Sequence, residues 1–379
     1  MQHIEDSLHQ QLEARGKAGL LRTLAPRQQG LDLCSNDYLG FAKHPGIQEK
    51  LHETLRAMEA KHFGSTGSRL ISGNHAFIEA LEQELADFHQ AQAGLIFSSG
   101  YAANTGLFAC IASRGDTLVL DELIHASMID GVRLSYAKRL IFRHNDLKDL
   151  EDKLKQAEGR VFIGVESVYS MDGDLAPLRD IVTLAQQYNA AVIVDEAHGT
   201  GVFGQQGAGL VVEQDLQEQI FARVHTFGKA LGTHGAIVVG SKILREYLVN
   251  FARPFIYSTG LPLHTLVHIQ CAYQELFKSE EKRLILHKNI AYFRQQAARL
   301  EGCTLLESPS CIQSLVIPGN QKVRYFAHQL QERGFWVKPI VSPTVAKGKE
   351  RLRICIHSDH TKDQIQQLIE TVQDIARSL

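Results

Sequence analysis

The sequence has no long hydrophobic run, no excess of either charge and no low-complexity tract. Its 379 residues include 40 Lys and Arg against 42 Asp and Glu, which gives a formal net charge of −2. This balance provides no electrostatic reason to expect nucleic acid or an anionic membrane as a partner. No apolar stretch approaches the roughly 18 residues that span a bilayer, and residues 1–19 are polar. We therefore expect a cytoplasmic protein without a secretory leader.

The six cysteines are scattered, without the C-x-x-C spacing of zinc or dithiol sites. With 44% hydrophobic residues, a chain of this length can bury a large core and does not need disulfides for stability. We therefore predict reduced thiols and no metal site. The cysteines are Cys34, Cys110, Cys271, Cys303, Cys311 and Cys355.

Short apolar runs recur through the middle of the chain, and helical patterns separate many of them. Most of these runs are continuous rather than alternating, which is typical of strands buried on both faces. The pattern predicts an α/β fold with a mostly parallel sheet. The seven runs are residues 94–97, 117–120, 139–142, 161–165, 191–194, 222–226 and 236–239.

The last third of the chain has a different pattern. A long helical stretch over residues 262–300 precedes strand patterns at 314–317, 335–338 and 351–356, and Thr361 with Gln364 has the spacing of a capping box for a closing helix. These features predict a smaller α+β domain. The predicted division is an N-terminal, substrate-proximal segment over 1–40, a large α/β domain over 41–275 and a small domain over 276–379.

Polar residues follow several of the predicted strands, where ligands bind in open α/β sheets. Small residues at 98–100 open a helix and suit an anion. His125, Asp195 and His198 follow later strands. Lys229 lies among Gly, Phe and Ala, and such apolar neighbours desolvate its amine. Desolvation lowers the pKa of an amine and makes it a nucleophile that can form a Schiff base. A lone lysine or histidine is more often structural, so the prediction of a site depends on their convergence.

Two short motifs suggest other functions that their context excludes. Residues 199–204 match G-x-G-x-x-G, but a dinucleotide fingerprint needs strand, glycines and helix in immediate succession, and residues 205–209 are too rich in glycine to begin a good helix. Residues 195–198 spell DEAH, but the sequence has no G-x-x-x-x-G-K-[ST] loop, so a helicase is excluded.

The chain resembles the α-oxoamine synthase family of fold-type I pyridoxal-phosphate enzymes. That resemblance implies a large domain with a mostly parallel seven-stranded sheet and a smaller C-terminal α+β domain. The motifs that carry it are SNDYLG (35–40), GSRLISGN (67–74), SSGYAAN (98–104), HAS (125–127), SVYSMDGD (167–174), DEAHGTG (195–201), TFGKALG (226–232), YSTGLP (257–262) and RLRI (351–354).

The resemblance implies that the cofactor is pyridoxal 5′-phosphate. Lys229 would hold it covalently and then shuttle protons, and Asp195 would pair with its ring nitrogen. His198 would bond to the ring oxygen, and His125 would stack on the ring. The residues that would hold the phosphate or neighbouring atoms are Gly100, Tyr101, Ser170 and Thr226.

The resemblance also implies where substrates bind. Arg353 would bind the carboxylate of an amino acid, and Arg22, Asn36, His125 and Thr344 match positions near the substrates. In the family the phosphate is shared with a neighbouring subunit, which implies a homodimer with the active site at the subunit interface.

Within the family, the likeness is closest to members that condense L-alanine with a pimeloyl thioester, carried by CoA or acyl-carrier protein, to 8-amino-7-oxononanoate in biotin biosynthesis. An acyl chain that ends in a carboxylate or its ester needs a long groove with a polar or cationic end. Arg22 either supplies that end or is a solvated helix-end charge. The alternative is another α-oxoamine synthase, which uses glycine with acetyl- or succinyl-CoA or makes a signalling amino ketone. A catalytically dead homologue would be expected to lack Lys229 or Asp195, and both are present.

Two features depart from the family pattern. Residues 23–34 form a short segment where relatives commonly carry a small β-hairpin. Glu196 follows Asp195 where many relatives have a second Asp, a change from which we expect little consequence.

Overall fold

A computed structural model describes residues 2–24, 26, 29–58 and 64–378 of the protein. Its strands are short, and most lie in the middle of the chain. They are β1 (Leu31–Asp32), β2 (Ala93–Phe97), β3 (Thr117–Asp121), β4 (Lys138–Phe142), β5 (Val161–Glu166), β6 (Ala190–Asp195), β7 (Ala222–Thr226), β8 (Ala236–Gly240), β9 (Thr304–Leu305), β10 (Ile312–Val316), β11 (Phe335–Trp336), β12 (Pro339–Ile340) and β13 (Arg351–Cys355).

Several helices begin at a side chain that accepts a hydrogen bond from a free backbone N–H. Ser241 accepts from Leu244, and Thr361 forms the predicted capping box with Gln364. Among the helices in the described part of the chain, none combines the length and apolar character needed to cross a membrane. The α-helices are α1 (Gln2–Lys17), α2 (Pro45–Ala57), α3 (Ala76–Phe88), α4 (Gly100–Ile111), α5 (Ala126–Leu134), α6 (Leu147–Leu154), α7 (Leu178–Gln187), α8 (Leu210–Glu213), α9 (Lys242–Phe251), α10 (Arg253–Ile256), α11 (Leu263–Lys278), α12 (Glu280–Ala297), α13 (Asn320–Glu332) and α14 (Lys362–Arg377).

The large sheet has seven strands in the order β2-β8-β7-β6-β5-β3-β4. Neighbouring strands are parallel except that β8 runs antiparallel to both β2 and β7. Each of the seven apolar runs in the sequence forms one of these strands, so the predicted mostly parallel seven-stranded sheet is confirmed. The parallel arrangement brings the carboxyl ends of β3 to β7 to one edge of the sheet.

The central strands read as continuous apolar runs because both faces of the sheet are covered. In β6, Val192 and Val194 belong to the hydrophobic cluster on one face, and Ile193 belongs to the cluster on the other. All three are at most 1% exposed. Burying one such side chain contributes about 1.5–3 kcal/mol, so the sheet supplies a rigid base for the residues at its edge.

A second sheet, antiparallel and four-stranded, has the order β12-β13-β10-β9. The strand predicted at 314–317 lies at Ile312–Val316, and that predicted at 351–356 is Arg351–Cys355. The strand predicted at 335–338 is wrong as one element. Its first half, Phe335–Trp336, pairs in parallel with Leu31–Asp32, whereas Pro339–Ile340 pairs with β13. The N-terminal segment therefore packs on the C-terminal part of the chain.

The single long helical stretch predicted at 262–300 is two helices, α11 and α12. They meet at Ser279, whose φ of −91° and ψ of 36° interrupt the helix. The Ser279 hydroxyl donates to the Glu275 carbonyl at the end of the first helix. A serine that bonds to the backbone in this way favours a helix boundary over a helix interior.

Candidate active site

The candidate site lies at the carboxyl ends of β5, β6 and β7. Glu166 ends β5 and Asp195 ends β6, and these two residues are paired in register across the parallel strands. His198 lies in the turn after β6, and Lys229 lies in the turn between β7 and β8. Residues far apart in sequence therefore meet because parallel strands end at the same edge.

Lys229 has a half-buried side chain whose Nζ lies 2.7 Å from Nε2 of His198. Burial lowers the pKa of the Lys229 amine to about 8, although the charges of Asp195 and Glu166 act to raise it. About a tenth of this amine is therefore unprotonated, and nucleophilic, at pH 7, far more than for an ordinary lysine.

His198 is a buried, neutral imidazole. Burial lowers its pKa well below the usual value, and the positive charges of Lys229 and Arg353 act in the same direction. Its Nδ1 lies 2.7 Å from the hydroxyl of Tyr38, which is fully buried. Sequence reasoning did not single out Tyr38, although it belongs to the SNDYLG segment.

Asp195 is 5% exposed and held by two donors. Nδ2 of Asn104 donates to one carboxylate oxygen at 2.6 Å, and the backbone N–H of Ala197 donates to the other at 2.8 Å. Asn104 also donates to the Ser127 hydroxyl, which lies 2.7 Å from Nδ1 of His125. Asn104 and Ser127, which sequence reasoning did not assign, therefore connect Asp195 to His125.

Glu166 is a buried carboxyl beside Asp195. Burial and the charge of Asp195 raise its pKa to about 8. One of its oxygens accepts from the backbone N–H of Ser170 at 3.2 Å, whereas Oε1 has no partner among the described residues. Oδ1 of Asn104 is likewise buried without a partner there. Unpaired buried oxygens cost about 1–3 kcal/mol each, so a polar ligand is expected at this place.

The N-terminus of α4 forms an anion cradle next to β7. Gly100 is the first residue of α4, and a Cβ at that position would collide with Oγ1 of Thr226. Glycine therefore allows Thr226 to approach the free N–H groups of the helix. Tyr101 is half-exposed, donates its hydroxyl to Asp130, and presents its ring edge to His125.

Arg353 approaches the site from β13 of the second sheet. Its Nη2 donates to Oδ1 of Asn36 at 3.0 Å, and its Nε donates to the backbone carbonyl of Ser170 at 2.6 Å. Nη1 lies 3.0 Å from Sγ of Cys355. The structure thus brings Arg353, Asn36 and Ser170 together, with Ser170 presenting its backbone to both Arg353 and Glu166.

A cleft of about 710 Å³ leads away from His125 and Ser170 and reaches Thr344. Its walls are largely apolar, and two cationic residues, Lys349 and Arg351, lie along it. Arg351 is paired with Asp172. The apolar residues that line the cleft include Leu123, Ile124, Ile129, Met171, Leu306 and Val345.

Arg22 does not line this cleft. It lies exposed in the segment that follows α1. The expectation that Arg22 supplies the cationic end of an acyl groove is therefore not supported by its position in this chain. Thr344, by contrast, lies on the cleft wall, and its role near the substrates stays a prediction.

Glu196 has a defined structural contact that the sequence did not predict. Its buried carboxylate accepts from the Ser167 hydroxyl at 2.6 Å and from the backbone N–H of Val211 at 2.7 Å. The glycine-rich residues 199–204 form turns, followed by a three-residue 3₁₀-helix and then the four-residue α8. The predicted exclusion of a dinucleotide fingerprint is consistent with this short, broken geometry.

Comparisons with known proteins match nearly the whole chain. 8-Amino-7-oxononanoate synthase of Emericella nidulans is 41% identical over 392 aligned positions, which cover 97% of this chain and 95% of that protein. The solved 8-amino-7-oxononanoate synthase of Francisella tularensis superimposes with a TM-score of 0.80 and 28% identity, covering 92% of this chain and 98% of the other. The structure of SPT with PLP as an internal aldimine superimposes with a TM-score of 0.90 and 29% identity, and the match covers 98% of this chain and 97% of the other.

These likenesses extend over both sheets and all the motifs that surround the site. The aminotransferase class I and II family matches residues 28–372. Its span begins just before β1 and ends within α14, so it includes each strand of the large sheet and the strand that carries Arg353. The chain therefore belongs to the aminotransferase class I and II family, among the α-oxoamine synthases of fold type I.

Proposed function

We propose that this protein condenses L-alanine with a pimeloyl thioester, releasing CO₂ and the thiol and forming 8-amino-7-oxononanoate for biotin biosynthesis. The observation that carries the proposal is Lys229, an amine whose pKa is lowered by burial, whose Nζ contacts His198 and on which the charges of Asp195 and Arg353 act. Relatives that bear the name of this synthase, at 37–41% identity, support the choice of product.

The residues present fit pyridoxal phosphate. Lys229 is the amine for its aldehyde, Asp195 is a carboxylate for its ring nitrogen, and the cradle of Gly100 and Thr226 suits its phosphate. The unpaired Oε1 of Glu166 leaves room for a polar ligand beside Asp195. When bound, this cofactor supplies a ring that stabilises negative charge on the α-carbon of the amino acid.

The side chains then have distinct tasks. Asp195, held in place by Asn104, keeps a negative charge facing the ring nitrogen. Lys229 takes the α-proton of the amino acid on Nζ and later returns it, because its pKa lies near the working pH. His198, a neutral imidazole, would bond to the ring oxygen, and His125, whose Nδ1 lies 2.7 Å from the Ser127 hydroxyl, would stack on the ring.

The amino acid and the acyl donor enter from different sides. Arg353, with Asn36 beside it, binds the alanine carboxylate through charge-assisted hydrogen bonds and releases it when CO₂ forms. The apolar cleft that ends near Thr344 holds the pimeloyl chain, and Lys349 on its wall meets the distal carboxylate. Either CoA or an acyl-carrier protein would present the thioester at the open side of the cleft.

The active form is proposed to be a homodimer. The segment that contains Gly67 to Asn74 exposes Leu70 and Ile71 at 53% and 86%, and it forms a bridge, Ser68 to Thr259, with the segment that exposes Tyr257. Such a group of exposed apolar side chains is typical of an interface. We propose that the protein works in the cytoplasm.

Two experiments test the proposed function. Borohydride reduction of the holoenzyme should attach the pyridoxyl group to the peptide that contains Lys229, and labelling of another lysine overturns the cofactor assignment. Thiol release should then be measured with alanine, glycine and serine, each combined with pimeloyl, succinyl, acetyl and long-chain acyl thioesters. Because serine palmitoyltransferase (SPT) is a structural neighbour, serine with a long-chain thioester is the competing result. If that pair, or glycine with acetyl-CoA, is faster than alanine with pimeloyl thioester, the proposed substrates are wrong.

A further inference from the structure

The hydroxyl of Tyr38 has a place in the site that the proposed chemistry does not use. Tyr38 is fully buried, and its hydroxyl lies 2.7 Å from Nδ1 of His198 and 3.1 Å from Oδ1 of Asn36. A buried hydroxyl is expensive to leave unpaired, so its position between these two atoms is strongly specified.

The hydroxyl is the middle of a continuous line of hydrogen bonds. Nζ of Lys229 contacts Nε2 of His198 at 2.7 Å, and Nδ1 of the same ring contacts Tyr38. Tyr38 donates to Oδ1 of Asn36, which also accepts from Nη2 of Arg353 at 3.0 Å. The line therefore joins the reactive amine to the guanidinium that is proposed to bind the substrate carboxylate.

A count of protons along this line leaves two arrangements. The neutral ring of His198 carries one proton, so one nitrogen donates and the other accepts. When Tyr38 donates to Asn36, its oxygen accepts from Nδ1–H, and Nε2 accepts from Lys229. When Tyr38 donates to Nδ1, the ring proton is on Nε2, which then faces the site as a donor. Rotation of one hydroxyl thus accompanies the exchange of tautomers.

We propose that Tyr38 is a positioning residue that sets the tautomer of His198. While Lys229 is free, Tyr38 donates to Asn36 and His198 accepts from the amine. Once the amine has turned away, Tyr38 donates to Nδ1 and His198 offers Nε2–H to an anionic oxygen in the site. The proposal rests on the proposed function, in which Lys229 is the reactive amine, and it assigns Tyr38 no contact with the substrate.

Other charges also face Lys229, and the test must separate their effects from that of Tyr38. Burial and the charge of Arg353 lower the pKa of Lys229, whereas the charges of Asp195 and Glu166 and the thiol of Cys355 raise it. Removing the hydroxyl of Tyr38 deletes none of these groups, although Arg353 and Cys355 share a hydrogen-bond partner, Asn36, with it. A change in the titration of Lys229 in Tyr38→Phe therefore reports on the hydrogen-bond line.

The experiment measures acetylation of Lys229 by acetic anhydride against pH, with full-length protein freed of cofactor and mass spectrometry of the Lys229 peptide. The wild-type midpoint is expected at about 8. In Tyr38→Phe, Nδ1–H loses its acceptor, so Nε2 becomes a poorer acceptor for the ammonium group. The midpoint should fall by about one unit.

A matched control comes from a second buried tyrosine that contacts a histidine. The hydroxyl of Tyr273 lies 2.8 Å from Nε2 of His89, outside the hydrogen-bond line that joins Lys229 to Arg353. Tyr273→Phe should lower the melting temperature as Tyr38→Phe does, but it should leave the midpoint of Lys229 unchanged. In a His198→Gln background, Tyr38→Phe should produce no further shift, because the effect passes through the imidazole.

A second variant keeps the test available if Tyr38→Phe does not fold. Asn36→Ala leaves Nδ1 as the acceptor for the Tyr38 proton, which places the ring proton on Nε2 and should also lower the midpoint of Lys229. An unchanged midpoint in the folded variant, or an equal shift in the His198→Gln background, overturns the proposal. Because the measurement uses neither cofactor nor substrate, an inactive substrate pair overturns only the proposed function.

Discussion

His198 and His144 both follow strands of the large sheet at the same edge, but they have opposite kinds of neighbour. Nδ1 of His144 lies 3.0 Å from Oδ1 of Asp121, and its Nε2 lies 2.7 Å from Oδ2 of Asp174. His198 instead contacts an amine and a hydroxyl. The residue type and the place in the fold are therefore shared, and the partners differ.

The partners decide the charge of each ring. Burial acts to lower the pKa of His144, but its hydrogen bonds to Asp121 and Asp174 outweigh burial and raise the pKa to about 10. Burial and nearby positive charges lower the pKa of His198. His144 is thus a charged link whose two N–H groups are both engaged, whereas His198 is neutral and can exchange roles between its nitrogens. Only the second arrangement suits chemistry that moves protons.

The sharpest test of this comparison neutralises one strand-end carboxylate near each histidine, Asp195 near His198 and Asp121 beside His144. Asp195→Asn removes the charge proposed to face the cofactor, so kcat and kcat/KM should both fall by about 10²–10³-fold with little change in alanine binding. Asp121→Asn should reduce stability and leave kcat of the folded protein unchanged. Steady-state kinetics and thermal melts measure both. Asp195→Asn with kcat near that of the wild type would make Asp195 a structural cap.

Removal of the charged ring should destabilise the fold with a distinctive pH dependence. His144→Gln leaves two carboxylates without their cation, and the free energy of unfolding should fall by about 2 kcal/mol, less than for a fully buried pair because the ring is partly exposed. Since the folded pKa is raised, the contribution of His144 is complete below about pH 6.5, declines above it and is lost near pH 10.

Denaturant titrations of wild type and His144→Gln between pH 6 and 10 measure that difference. The two stability curves should converge as the pH rises. His328→Gln is a suitable control, because His328 pairs with Glu332 on an exposed helix surface and should alter stability little. A difference between the curves that stays constant with pH would show that His144 is not held in its charged form.

A third test addresses the partner at the far end of the hydrogen-bond line. Arg353→Lys keeps the positive charge but loses the planar fork that fits a carboxylate, so KM for alanine should rise about tenfold with a smaller change in kcat. Arg351→Lys, on the same strand, should leave KM for alanine unchanged. Equal KM values for Arg353→Lys and wild type would assign the carboxylate to another residue.

The large sheet was predictable from the sequence because each of its strands is a continuous apolar run buried on both faces. The two-residue strand Phe335–Trp336 was not, because so short an element has no pattern of its own. Its pairing with Leu31–Asp32 joins residues about 300 positions apart, and tertiary packing alone determines it. The break at Ser279 was missed for a related reason, since the apolar spacing continues across it.

In the site, charged residues at strand ends were predictable, and their neutral partners were not. Asp195 ends a strand and Lys229 lies three residues beyond one, so the rule for open sheets locates them. Tyr38 meets His198 from 160 positions away and, as a buried aromatic, is indistinguishable in sequence from a core residue. Arg22 is assigned near the substrates by resemblance alone. It lies exposed in an irregular segment off the cleft wall, so its role stays a prediction.

Lys349 lies on the wall of the cleft and Arg22 does not, and the smallest effect on kinetics is expected from replacing Lys349. Lys349 is exposed on the wall of the cleft, so its attraction for a distal carboxylate is screened by water and is worth at most about 1 kcal/mol. Lys349→Met should therefore raise KM for a pimeloyl thioester by less than about fivefold and leave KM for an acyl chain without a distal carboxylate unchanged.

Lys347→Met, in the same loop but off the cleft wall, is the matched control, and Arg22→Met should behave like it. If Arg22→Met, rather than Lys349→Met, selectively weakens the pimeloyl substrate, the cleft assigned to the acyl chain is wrong, and the N-terminal segment must close over the site when substrate binds.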